Sequence, residues 1–379
     1  MRFIHLSDLH IGKRVNEYSM IEDQEYILKE ILAIINEEKP DGIFIAGDVY
    51  DKATPSEDAV KLFDWFLTRL AKKKVPTYII SGNHDSAVKL SFASELIREA
   101  NIYITHRYDG TAQHYTLTED GQSVNLYLLP YIKPIVIRHL FEERAKEIEN
   151  YTDACRVAIE QMNVDPKACN ILVAHQFVTG AERSESEEVS VGGMDNVDAS
   201  VFDAFDYVAL GHIHGPQSVG RNTIRYCGTP LKYSFSEVNH KKSITVVEIS
   251  PGKEPSIRTV ELTPKHDMRE IKGTMDELLS RANYEGTNTD DYIHAIITDE
   301  DDVPEAMAKL RVIYKNIMKM TYDNKRTREN RVFSDAIDVE HKSELELFEE
   351  FFEMQNNIPM SDLQREMSEK LIEQIRKEV

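Results

Sequence analysis

Five apolar runs in this chain each stop at residues that can bind a metal. RFIHL (2–6) leads into Asp8-Leu9-His10, GIFIAGD (42–48) ends on Asp48, and PTYIISG (76–82) leads into Asn83-His84-Asp85. NILVAH (170–175) ends on His175, and YVALGH (207–212) ends on His212 with His214 two residues on. Continuous apolar runs of this length read as strands buried on both faces. The carboxyl edge of such strands is where an α/β sheet presents its functional groups. A single Asp-x-His or Gly-Asp at a strand end is more often a structural turn than a ligand. Five in series at strand ends require a fold that brings those ends together.

The remaining pattern describes the scaffold. Helical segments separate the first strands, and Thr54-Pro55-Ser56-Glu57 carries a cap residue, a proline at the first helical position and a glutamate three after the cap. Further strand candidates are NLYLLPY (125–131) and ITVVEI (244–249). The expectation is a layered α/β architecture with a sheet-rich second half. Composition shifts near Pro264, after which MREIKG, TMDELLSRA, YIHAIIT, PEAMAKLRVIY and NIMKMTYD alternate as β-α-β-α-β. The boundaries expected are a main domain over 1–265, a small α+β module over 266–322, a polar linker over 323–340 and a helical segment over 341–379. That last segment is acidic, with Leu345, Phe348, Phe351, Phe352, Leu363, Met367, Leu371 and Ile375 near helical spacing. Its apolar face suits either a partner groove or docking onto its own domain.

The ligand set is carboxylate, imidazole and one amide oxygen, with no thiolate. It favours a fairly hard octahedral ion, Mn²⁺ before Fe²⁺ or Mg²⁺, over structural Zn²⁺. Two ions roughly 3.5–4 Å apart need a bridging carboxylate, and Asp48 is the candidate. A metal-binding Asn83 leaves the neighbouring His84 aimed at a scissile phosphate, where an imidazole can protonate a leaving oxygen. The three cysteines, Cys155, Cys169 and Cys227, include no CxxC pair and suit a reducing cytoplasm. No apolar run approaches the ~20 residues of a membrane span, and the N-terminus lacks the pattern of a secretory signal.

In order, the motifs DxH, GDxxD, GNHD, H and GHxH resemble those of the calcineurin-like metallophosphoesterases. The stretches MRFIHLSDLHIGK, GDVYDKATPSEDAV, SGNHDS, AHQFVTGAERSESE with VGGMDNV, and GHIHGPQ followed by CGTPLKYSFSE look most like the SbcD nuclease branch. The likeness is strong over residues 1 to about 265 and extends further only in layout. It implies a β-sandwich flanked by helices, a small capping domain and C-terminal helices. It also implies that Asp8, His10, Asp48 and His214 hold one ion, that Asp48, Asn83, His175 and His212 hold the other, and that His84 is the catalytic histidine. Some relatives carry histidine where Asp51 stands, so Asp51 is expected only to support the ligands. The activity implied is Mn²⁺-dependent DNA cleavage, 3′–5′ exonucleolytic on duplex ends and endonucleolytic on hairpins or single strands. The partners implied are a second copy of the chain and an SbcC-type, SMC-like ATPase gripped by the C-terminal helices. The chain has no GxxxxGK[ST], so ATP use falls to that partner. A small-molecule phosphodiesterase or protein phosphatase of the same superfamily is the alternative.

Two features bear on these partners. The net charge of −21 is unhelpful for binding a polyanion. Basic clusters at Lys72–Lys74, Lys241–Lys242 and Lys325–Arg331 are either a DNA footprint or solvated surface. In the helix after Pro55, Ala59, Val60, Leu62, Phe63, Trp65, Phe66, Leu67 and Leu70 leave only a narrow polar stripe. That helix is either deeply buried or shared between the core and a second copy of the chain.

Overall fold

The computed structural model describes residues 1–119, 121–187, 195–328, 345, 348–349, 352 and 360–378. Two compact units divide at Arg269 and Glu270.

The first unit is a sandwich of two six-stranded sheets. One sheet runs in the order Ser256–Glu261, Ser243–Glu248, Arg2–Leu6, Gly42–Ala46, Thr77–Ile80, Ile102–Ile104. The last four strands of that order are mutually parallel, and the first two add antiparallel edges. The other sheet runs Gln217–Val219, Arg221–Tyr226, Tyr207–Gly211, Cys169–His175, Gln122–Leu129, Gln113–Glu119. It too has four parallel strands at its centre and antiparallel strands outside.

Period-two alternation explains why the apolar runs are continuous. Ile171 and Val173 point into the inter-sheet core with Phe3, Phe44, Tyr78, Leu126 and Leu128. Their neighbours Leu172 and Ala174 point the other way, into a second core with Ala154, Val157 and Ala158 of helix Tyr151–Glu160. A strand covered on both sides has no polar face to show.

The helix after Pro55 begins at Glu57, two residues later than its sequence suggests, and runs to Lys73. Ser56 is the cap, its hydroxyl accepting from Ala59 N, while Thr54 Oγ1 accepts instead from Lys89 Nζ at 2.7 Å. One face is buried through Ala59, Leu62, Phe63, Phe66 and Leu70. Val60 stays exposed, and Trp65 lies half-covered between Lys29 and Arg69.

In the second unit, strands Met268–Gly273, Tyr292–Ile297 and Ile317–Tyr322 form one sheet, joined by helices that include Met275–Leu279 and Ala306–Arg311. Its core is built on Met275, Leu278, Ile293, Ala295, Leu310, Tyr314 and Ile317. Most of the stretch expected as a linker, from 329 to 340, lies outside the described residues, as does much of 341–359. Helix Asp362–Glu378 is described and carries Leu363, Met367 and Leu371 exposed along one side. No helix among the described residues is long and apolar enough to cross a membrane.

Candidate metal centre

The carboxyl ends of five parallel strands, three from one sheet and two from the other, meet at one edge of the sandwich. Gly211 and Gly82 make this approach possible. A side chain on Gly211 would run into the carbonyl of Ala46, and one on Gly82 into the carboxylate of Asp48. The loops that follow are bent sharply. Asp8, His10, Asp48 and His212 all have positive φ, at 52°, 44°, 49° and 103°. Such backbone is costly for residues other than glycine and gathers at functional sites. It is held here by bonds between the loops: Asp8 N to Gly47 O, His10 N to Asp48 O, and His212 N to Asp8 Oδ1 at 2.9 Å.

The side chains fall into overlapping groups. Asp8, His10 and His214 have ligand atoms within 4.8 Å of one another, and so do Asp8, Asp48 and His175. His10 Nε2 and His214 Nε2 stand 3.1 Å apart. Asn83 Oδ1 lies 3.0 Å from His175 Nε2 and 2.9 Å from His212 Nδ1. His175 Nε2 is also 3.3 Å from Asp48 Oδ2, while its Nδ1 is tied to Ala46 O at 2.8 Å. All seven proposed ligands are thus in one cluster.

His84 differs from them. Its backbone N–H donates to Asp48 Oδ1 at 2.9 Å, and its Nδ1 donates to Asp51 O at 2.9 Å. That leaves Nε2 free, 4.0 Å from Asp48 Oδ2, on a side chain 12% exposed, whereas those of His10, Asp48, His175 and His214 lie between 0 and 3%. Asp51 supports both neighbours. Its carbonyl orients His84, and its carboxylate pairs with Lys13 at 2.8 Å and lies 3.8 Å from His10 Nδ1.

The donor set fits divalent cations, for a reason visible in the protein alone. Carboxylate, amide and imidazole acceptors face one another with few hydrogens between them, and the buried atoms His10 Nδ1 and His212 Nε2 have no hydrogen-bond partner. Burial holds the His10 and His212 imidazoles below their ordinary range, so these rings are neutral and able to donate lone pairs. Burial pushes the Asp8 carboxyl up to about 6, opposed by His175 and reinforced by the Asp48 charge. Burial also disfavours the Asp48 charge, but the His175 ring beside it, first among its neighbours, outweighs this and holds that carboxyl well below its usual range. Against its own burial, His175 is drawn up to about 9 by Asp48. Positive charge is what this cluster lacks, and without metal a proton on His175 supplies some of it.

Several residues support the ligands, and most of them, Asp85 of the GNHD motif apart, give no ligand-like signal in the sequence. Asp85 accepts backbone N–H bonds from Val49, Tyr50 and Gly82, clamping two ligand loops together. Tyr233 donates to Leu9 O, and Gln24 to His10 O. Behind His214 lie Ser186, Glu187, Glu237 and Lys242. Ser186 and Glu187 fall within AHQFVTGAERSESE and Glu237 within CGTPLKYSFSE, so the stretches that select the branch do mark them. Lys242 is not part of a nucleic-acid footprint. It is 5% exposed and pairs with the fully buried Glu237. In the cluster near residue 325, Arg326 and Arg328 are paired with Asp302 and Asp323.

A family model described as calcineurin-like phosphoesterase matches residues 1–216, more than half of the chain and every strand end at the site. The chain belongs to the calcineurin-like phosphoesterases. Membership makes it a metal-dependent phosphoesterase, in keeping with the cluster of oxygen and imidazole donors. A second model, described as the type 5 capsule protein repressor C-terminal domain, matches residues 264–356. Among curated proteins, this phosphoesterase is 31% identical to the SbcD polypeptide of the nuclease SbcCD from Staphylococcus epidermidis, over 98% of each chain. Among solved structures, calcineurin-like phosphoesterase YfkN from Bacillus subtilis aligns with a TM-score of 0.36 and 15% identity, over 68% of this chain and 90% of that one.

Proposed function

We propose that this phosphoesterase is a manganese-dependent DNA nuclease that acts as a homodimer with an SMC-like ATPase in the cytoplasm. On this reading it cuts 3′–5′ from duplex ends and internally at hairpins or single strands, in DNA repair and recombination. The observation that carries it is the buried donor cluster with the free Nε2 of His84 at its open side. The likeness to a nuclease polypeptide over 98% of each chain supports a nucleic acid over other phosphodiesters.

In this assignment Asp8, His10, Asp48 and His214 hold one ion, and Asp48, Asn83, His175 and His212 hold the other. Two divalent ions, when bound, supply the positive charge that a phosphodiester needs as it is attacked and cleaved. The chain does the rest. Asp48 stays ionised between its imidazoles. The Asp51 carbonyl fixes the His84 ring so that Nε2 can hold a proton for the leaving oxygen. Comparing hydrolysis of duplex DNA with that of an aryl phosphodiester, both with Mn²⁺, tests the substrate. Efficient turnover of the aryl ester with none of DNA would favour a small-molecule phosphodiesterase.

An uncovered apolar surface supports the homodimer. Val88, Phe92 and Leu96, four residues apart, are 72, 83 and 78% exposed in the segment after Asn83-His84-Asp85. Lys89 ties that segment to Ala53 O and Thr54 Oγ1, just before the helix bearing the exposed Val60. Large apolar side chains left this exposed within one short segment favour cover by another surface.

The terminal helix supports the ATPase partner. Leu363, Met367 and Leu371 form an exposed stripe at i, i+4, i+8, the pattern of a helix that lies in an apolar groove. Deleting residues 340–379 should leave manganese-dependent cleavage of short single strands intact and abolish capture of the ATPase. A truncated chain that still binds the ATPase would rule this out.

The charge sets a further expectation. The overall charge of −21 opposes a polyanion, and Lys242, Arg326 and Arg328 are already paired with carboxylates. Binding of long duplex by the isolated dimer should be weak at physiological salt, with a shallow slope of log K against log salt. Mn²⁺ should strengthen it, and the partner should strengthen it further. Tight, steeply salt-dependent binding by the metal-free chain alone would contradict this.

A further inference from the structure

We propose that Ser186 and Glu237 are positioning residues that lock His214 into the tautomer whose Nε2 lone pair faces the metal centre. The inference rests on reading His214 as a metal ligand, and it extends that reading to the groups behind it.

Counting hydrogens gives the direction of each bond. Lys242 Nζ has three N–H groups and three acceptors: Glu237 Oε2, Thr229 Oγ1 at 2.7 Å and His214 O at 2.9 Å. Glu237 is fully buried against this ammonium, so it is a carboxylate and can only accept. Ser186 Oγ lies 2.5 Å from Glu237 Oε1 and must give it the one hydroxyl proton. The same oxygen lies 2.8 Å from Ser184 Oγ and 2.6 Å from His214 Nδ1, and with its only proton given to Glu237 it can only accept from each. The ring proton therefore sits on Nδ1, and Nε2 carries a lone pair toward His10 Nε2, 3.1 Å away. The adjacent Glu187 grips the same histidine from its backbone, with Oε1 accepting the His214 N–H at 2.6 Å.

Burying an ion pair seldom stabilises a fold more than apolar packing would. The Lys242–Glu237 pair is better explained by what it imposes on His214. Groups that hold the far nitrogen of a ligating imidazole fix its tautomer and orientation, and losing one typically weakens metal binding 10–100-fold. A merely structural pair would work through Lys242 and Glu237 alone, and Ser186 would be dispensable.

The test is Mn²⁺ titration of the metal-free full-length chain, followed by electron paramagnetic resonance and calorimetry. Ser186→Ala should weaken one of the two ions roughly 10–100-fold, leave the other unchanged and leave the melting temperature of the metal-free protein unchanged. Ser186→Thr keeps the hydroxyl and should restore the affinity. Glu237→Gln should weaken the same ion; if that chain fails to fold, the Ser186 pair still decides. Long-range ¹H–¹⁵N spectra should show the His214 Nδ1–H form alone in the wild type and a mixture in Ser186→Ala. Wild-type affinity for both ions in Ser186→Ala, or equal weakening in the Ala and Thr variants, overturns the proposal. His214→Ala separates the relay from the ligand it serves. Loss of one ion there alongside an unaffected Ser186→Ala rejects the relay alone, whereas retention of both ions rejects His214 as a ligand and the relay with it.

Discussion

Asp48→Ala should leave a folded chain that holds neither manganese ion tightly and has lost roughly 10⁴-fold or more of its turnover. Asp48 faces three imidazoles at once, with Oδ2 at 3.3 Å from His175, 3.8 Å from His10 and 4.0 Å from His84. Its other oxygen accepts the His84 N–H. Removing it takes away the negative charge that ligands on both sides share. Most of the inter-sheet core is remote from this change, so circular dichroism should stay close to wild type. Metal analysis after gel filtration is the direct measurement. Two ions retained at wild-type affinity would end the case for Asp48 as the bridge.

The second large effect separates a ligand from a proton carrier. His84→Gln should keep both ions and lose about 10²–10⁴-fold in turnover, the usual range for removing a general acid or base. The geometry makes this a real contest. His10, Asp48 and His84 also have ligand atoms close enough together to hold an ion, so His84 could serve as a ligand instead. Its greater exposure and its longer distance from Asp48 favour the open side. Loss of one ion in His84→Gln would decide for ligation. Glutamine suits the test because its amide can still bond to Asp51 O but cannot transfer a proton at neutral pH.

The strand ends were legible in the sequence because two simple patterns coincide there. An apolar run without alternation announces a strand covered on both faces, and Asp, Asn or His at its end marks the sheet edge. Asp8, His10, Asp48, Asn83, His175, His212 and His214 carry that punctuation, and the structure brings their side chains together. Hydrophobic periodicity could not reveal what stands behind them. Ser186 and Lys242 sit outside regular elements and Glu237 in a three-residue 3-10 turn, and their meeting depends on contacts across as many as 51 residues of chain. Lys242 misled for a related reason: a sequence shows a lysine next to another lysine, but not that one of them is sealed against a glutamate. For the helix after Pro55, composition gave the apolar girth, while its start depended on which of Thr54 and Ser56 had a free hydroxyl.

The ligands are divided between two sheets. Asp8, His10, Asp48 and Asn83 follow strands of one, and His175, His212 and His214 follow strands of the other. Across the gap they are tied by His212 N–H to Asp8 Oδ1 and by His175 Nδ1–H to Ala46 O, and held apart by the side chains between the sheets, the stacked rings of Phe3 and Phe44 among them. The hydrophobic core is therefore the spacer of the metal centre. A protein interior is nearly incompressible and passes strain along rather than absorbing it, so a methylene gained or lost at Val173 or Leu126 is also an adjustment of ligand spacing. In this chain, packing far from any substrate and tuning of the chemistry are one variable.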